Sequence, residues 1–307
     1  MKVFTKESLI AELSAIHEKG WIPSFKRPGN DGAVGNTLEN LLEITENNLP
    51  LPNATEWELK GQRRQTGSLL TLFHKDPSPT AMSLVTTLLL PKYGWPLEEH
   101  PNEWSFRQTI SASSYSDRGF RVVIDDDQRK VNISFNADVV SEKHRIWLES
   151  VESRIGLTEL NPQPYWGFDD LEHKAGAKLT NTFYILADAR TQDGVEYFYY
   201  NGVLMLQTFS FDGFLAMLRN GSMKIDFDAR TGHGRRGHNH GTKFRIPPAL
   251  FPNLYETAVS LLDAPLTREE RLNRIDTTNL QSTAKPPKRT VKEQPGLFET
   301  SFAEQEN

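Results

Sequence analysis

Glu58 and Lys60 stand two positions apart in Trp57-Glu58-Leu59-Lys60, at the close of the short run Leu51-Pro52-Asn53-Ala54-Thr55-Glu56. On a strand, alternate side chains share a face, so Glu58 and Lys60 point one way while Leu59 points into a core. A second carboxylate, Glu39, comes from the helical segment Thr37-Leu38-Glu39-Asn40-Leu41-Leu42. Two carboxylates and an ammonium can hold a divalent metal and steer a water molecule, the minimum for metal-assisted phosphodiester hydrolysis. Glu-x-Lys alone is weak, because any amphipathic strand can carry it with the lysine on the surface. Glu39 read alone is a helix-surface glutamate near an N-terminus, where acid is favoured, yet its place beside Leu38, Leu41 and Leu42 sets it at the edge of the apolar stripe.

A second constellation runs from Lys224 to Arg245 and includes Arg230, His233, Arg235, Arg236, His238, His240 and Lys243. Six basic residues and three of the chain's eight histidines fall there against Asp226 and Asp228. Arginine presents the fork that reads guanine, and histidine can donate to base edges or phosphates. The plainer reading is a solvated basic loop. A zinc site from His233, His238, His240 and Asp228 is a further reading, disfavoured by the arginines crowded around a dication. Arg63, directly after the Glu-x-Lys strand, reads as a phosphate clamp or as a solvated arginine.

These residues need elements to place them. Residues 5–19 read as an amphipathic helix ended by Gly20, and a Gly/Asn/Pro-rich loop from Pro28 to Gly35 leads to a helix capped near Asn36 or Thr37. Glu58–Lys60 lie on one strand, and Ser68–Phe73 reads as its neighbour. Residues 80–90 suit a helix, 104–112 and 119–124 strands, and Lys130–Phe135 the return of a hairpin through Asp125-Asp126-Asp127-Gln128. A helix ends near Leu179. Tyr197–Leu206 reads as a strand with aromatics packing core on one face, Phe211–Arg219 as a helix, and Met223–Phe227 and Lys243–Ile246 as strands.

The chain has 307 residues, 37% hydrophobic and 24% charged, enough for one large core or two modest ones. No apolar run approaches the roughly eighteen residues of a membrane span, and the N-terminus reads as carrying no signal peptide. Zero cysteines exclude disulfides and thiolate metal sites and fit a cytoplasmic protein. A net charge of −5 gives no global pull toward nucleic acid, so any DNA contact must use local positive charge. Residues 265–307 are polar and read as a short helix and a mobile tail.

Taken in order, Gly35-Asn36-Thr37-Leu38-Glu39-Asn40-Leu41-Leu42, Glu46–Pro52, Trp57-Glu58-Leu59-Lys60, Leu69–Phe73 and His238-Asn239-His240-Gly241-Thr242-Lys243-Phe244-Arg245 make the chain resemble the MvaI/BcnI family of restriction endonucleases, relatives of the nicking enzyme MutH. The resemblance spans residues 5 to 255. It implies a mixed α/β, PD-(D/E)xK nuclease fold: a central mixed sheet flanked by helices, with a DNA-recognition lobe. On that reading residues 1–115 open the catalytic lobe, 116–264 complete it and form the recognition lobe, and 265–307 are the tail. It also implies Mg²⁺-dependent cleavage of double-stranded DNA (Mn²⁺ substituting) by a monomer cutting one strand at a time at a short, C/G-rich, pseudosymmetric site, with a cognate methyltransferase in the cell. Carried over, Glu39, Glu58 and Lys60 are catalytic, Glu39, Asn53 and Glu58 hold the metal, and Arg63, Arg230, His238, His240 and Arg245 contact DNA.

One position departs from the pattern. The family commonly has Leu-Pro-Asp where this chain has Leu51-Pro52-Asn53. An asparagine carbonyl ligates Mg²⁺ without adding charge. Glu56 can replace it, or the copy is impaired. The favoured reading is a functional variant in which Glu39, Glu58 and either Asn53 or Glu56 share the metal. The alternative is a sequence-specific DNA-binding protein on the same scaffold.

Overall fold

A computed structural model describes residues 4–25, 30, 32–44, 57–64, 66–232 and 237–261. Asn53, Glu56, His233, Arg235, Arg236 and the whole of 265–307 lie outside the described residues.

In chain order the elements are α1 (Lys6–Glu18), β1 (Ile22–Pro23), α2 (Ala33–Leu41), β2 (Glu58–Arg63) and β3 (Leu70–His74). A π-helical turn, Val85–Leu89, runs into α3 (Leu90–Tyr93) and β4 (Trp95–Pro96). Then come β5 (Trp104–Ile110), β6 (Phe120–Asp125), β7 (Lys130–Phe135), α4 (Arg145–Ile155), β8 (Tyr165–Gly167) and α5 (Phe168–Leu179). The remainder is β9 (Asn181–Gln192), β10 (Val195–Phe209), α6 (Phe211–Arg219), β11 (Lys224–Arg230), β12 (His238–Asn239), β13 (Lys243–Ile246) and β14 (Tyr255–Ser260). The fold is mixed α+β, and no described helix is long and apolar enough to cross a membrane.

Three sheets form. The first runs β1-β10-β9-β2 with β14 also on β10, the second β3-β13-β11-β5-β4 with β12 on β11, and the third β6-β7-β8. The β2 strand is an edge strand, paired in parallel with β9 from Glu58↔Thr182 to Arg63↔Ala187. Among the described residues, no strand pairs with its other side. The central β9 is buried on both faces: Phe183, Ile185 and Ala187 join the core under α1 and α2, while Tyr184 faces the larger core of the other two sheets. A register shift between Tyr200 and Gly202 lets β10 keep one apolar face although Phe198 and Tyr200 are even-numbered and Val203 and Met205 odd.

The structure corrects two expectations. Helix α2 starts at Ala33, so Asn36 and Thr37 are inside it; buried Ala33 and Val34 extend its apolar stripe toward the N-terminus. The strand after Glu-x-Lys does not ladder with it, because β3 belongs to the second sheet. The two meet by a side chain instead, since Lys60 Nζ donates to the Leu72 carbonyl at 3.3 Å.

Candidate active site and nucleic-acid interface

Period two along β2 sends Leu59 and Gly61 to the small core and Glu58 and Lys60 to the opposite face. There Lys60 Nζ lies 2.9 Å from Glu58 Oε1. Glu58 is buried at 5% exposure, and its Oε2 has no hydrogen-bond partner among the described residues. A buried, unsatisfied carboxylate oxygen is costly in a fold without a ligand. Beneath it, Thr182 on β9 shares a 2.7 Å hydrogen bond with the Tyr255 hydroxyl, whose pKa is raised by burial and further by Glu58's charge. Tyr255 therefore stays protonated at neutral pH.

Helix α2 seats on the other face at Gly61, where a Cβ would meet Val34 Cγ1 at 2.9 Å and the Gly35 Cα at 3.1 Å. Glu39 follows Gly35 by one helical turn and is half-buried on α2. Gly61 is thus the close approach of α2 to the Glu-x-Lys strand. Among the described residues no three His, Asp or Glu groups already form a metal cluster.

Arg63 lies on the face away from Glu58 and Lys60. It forms a bidentate pair with Glu196 (2.8 and 3.0 Å), donates to the Asn30 carbonyl and packs over Phe198. These bonds tie β2 to the β10 strand.

The other DNA-contact candidates gather on the second sheet. Along β11 the residues Asp226, Asp228 and Arg230 share its polar face, with Lys243 and Arg245 beside them on β13 and Arg107 on β5. Arg245 donates to Asp226 (2.7 Å) and to the Leu69 carbonyl (2.8 Å). Arg107 and Lys243 both pair with Asp228, at 2.7 and 3.3 Å, which holds that carboxyl below its usual range against the burial that would raise it. The local cations are therefore interleaved with acid. Arg230 is exposed opposite His238, and the His238 and His240 rings meet edge-on at 4.4 Å. The His240 pKa is lowered by partial desolvation and by His238, Arg230 and Arg107, opposed by Asp228.

Sequence reasoning missed Thr182, Tyr255, Arg107 and Asp76. Only the alternation of Asp226, Asp228 and Arg230 on one strand could have signalled the interleaving. His74, read as a lone histidine at a strand end, sits under Gly241; burial lowers its pKa, as do Lys243, Lys60 and Lys174, against Asp76.

The MvaI/BcnI restriction endonuclease family model matches residues 10–255. The solved complex of restriction endonuclease MvaI with its cognate DNA substrate superposes at a TM-score of 0.66 with 25% identity, covering 82% of this chain and 98% of that one. Restriction endonuclease MvaI in the absence of DNA gives a TM-score of 0.50 at 24% identity, covering 85% and 100%. No curated protein sequence matches.

Proposed function

The chain belongs to the MvaI/BcnI restriction endonuclease family, and we propose that it hydrolyses double-stranded DNA with Mg²⁺ at Glu58, one strand at a time, as a monomer. It is a type II site-specific deoxyribonuclease; the ion, stoichiometry and residues are our reading. The observation that carries it is the division of labour on Glu58: one oxygen holds Lys60, and the other is buried with no partner among the described residues. That donor set suits a hard dication, with Glu39 and either Asn53 or Glu56 as further oxygen ligands. A bound divalent ion supplies Lewis acidity toward a phosphodiester oxygen.

Lys60 is held by Glu58 and the Leu72 carbonyl, which leaves one of its three N–H bonds to orient the attacking water or to meet charge developing on the phosphate. Glu58 keeps that ammonium in place. His238, His240, Arg230 and Arg245 face the duplex, and Arg245 can exchange Asp226 for a guanine edge. We assign Mn²⁺ as a substitute ion and a cognate methyltransferase as the cellular partner.

Metal titration with Lys60→Ala as the control tests this. Wild type should cleave with Mg²⁺ or Mn²⁺ and not in chelator, while Lys60→Ala should bind the same duplex and lose cleavage at least a hundredfold, the scale of one positioned charge. Unchanged cleavage by Lys60→Ala removes this active site. Asn53 supports one rival: binding without product in either ion would make the chain a DNA-binding form of the scaffold.

A further inference from the structure

Asp76 lies two residues beyond β3 and is exposed, yet its carboxylate is fully engaged. Oδ1 accepts from the Thr242 amide at 3.0 Å and from Thr242 Oγ1 at 2.9 Å, and Oδ2 accepts from Asn239 Nδ2 at 2.8 Å. Beside them the Lys75 amide donates to the Thr242 carbonyl at 2.9 Å. The turn 239–242 is closed by the Gly241 amide on Asn239 Oδ1, with Gly241 at φ +93°, and is tied on its other side by the His240 amide to the Asp228 carbonyl. Thr242 is completely buried, whereas His238 and His240 are exposed. The inward bonds of Asn239 and Thr242 thus decide which way the two imidazoles face.

The strand behind Asp76 has a second duty. Within residues 69–76 its carbonyls accept Arg245 at Leu69 and Lys60 at Leu72. Leu72 and Asp76 are about 13 Å apart along an extended chain. One stiff segment therefore bears on the cleaving lysine, the arginine of β13 and the histidine turn. Loss of the Asp76 bonds would free the turn and leave the Thr242 amide and hydroxyl without their acceptor, while the apolar cores keep their contacts.

We propose that Asp76 is a positioning residue for DNA recognition, clamping the turn 238–242 to the strand that also holds Lys60. This rests on the reading of His238 and His240 as DNA contacts. The test is cleavage of a randomised duplex pool in Mg²⁺, with cut ends sequenced, for wild type, Asp76→Ala, Asp76→Asn, Asn239→Ala and the double variant His238→Ala/His240→Ala, beside each protein's melting temperature. Asp76→Ala should lose discrimination between the preferred site and its single-base variants by on the order of tenfold or more, as misplacement of contact groups does. Its melting temperature should fall modestly, by the cost of leaving the buried Thr242 donors without an acceptor, with the fold retained. Asp76→Asn should recover part of the loss, because one oxygen can still serve Thr242, and Asn239→Ala should reproduce it from the other side. Wild-type discrimination by Asp76→Ala and Asn239→Ala, with loss in the histidine variant, overturns the proposal alone. Wild-type discrimination in the histidine variant as well removes the recognition reading beneath it. If Asp76→Ala does not fold, Asn239→Ala decides by the same criterion.

Discussion

Glu58 and Lys60 form an ion pair with only 6% and 16% side-chain exposure, one carboxylate oxygen remaining unsatisfied among the described residues. Desolvating such a pair costs more than most of its attraction returns, so an apolar or neutral pair of similar volume should fold at least as well. We expect Glu58→Gln/Lys60→Met to be unchanged or more stable, by about 1–4 kcal/mol in denaturant titration, and inactive; a double variant several kcal/mol less stable would make the pair a structural bridge instead. Arg245 divides between two roles. Arg245→Ala should lose about 1–3 kcal/mol of discrimination at one base position if it reads guanine. It should also lose stability, because Asp226 and the Leu69 carbonyl lose their donor. A uniform loss of affinity on all sequences would assign it to phosphate.

At the scale of elements, the site depends on a helix approaching the edge strand at backbone distance. A methyl at Gly61 meets Val34 and Gly35 with no flexible group to yield on the Gly35 side, so Gly61→Ala should cost about 1–3 kcal/mol and slow cleavage by shifting Glu39. Unchanged stability and rate would mean that α2 has room to retreat and that Glu39 is not held there. The strands that could be read from sequence were those with a wet face: β6 and β7 alternate apolar and polar residues around the Asp125–Lys130 turn. The parallel partner of the Glu-x-Lys strand was not identified, because β9 opens with the nearly continuous apolar run from Thr182 to Ala187, buried between two cores, and offers no alternation. Helix α4 was missed for another reason: its buried Trp147, Leu148 and Val151 make a narrow stripe on an otherwise polar segment. The pairing of β3 with β13 rather than β2 is a long-range choice that local pattern does not encode. Glu58 and Lys60 were legible because strand period two alone puts them together. Asp76 was not, because its partners lie more than 160 residues away.

At the scale of the whole molecule, net charge is −5, and on the sheet face proposed to meet DNA Arg107, Lys243 and Arg245 are already paired with Asp226 and Asp228. Prepaid ion pairs reduce the number of counterions displaced per contact. The logarithm of affinity against that of salt should accordingly fall with a slope of only a few, at about 0.9 per phosphate neutralised. Asp228→Asn should steepen that slope by releasing Arg107 and Lys243, and an unchanged slope would mean that those cations do not face DNA. On the proposed reading, Glu58 and Lys60 form a working metal-dependent site although Asn53 stands where the family commonly has aspartate. Its most direct test is a time course of supercoiled plasmid with and without Mg²⁺. Nicked circles should come first and discrete fragments after them, only with the ion. Plasmid left intact in both Mg²⁺ and Mn²⁺, while the protein still binds it, would mean that Glu58 and Lys60 do not form a cleaving site.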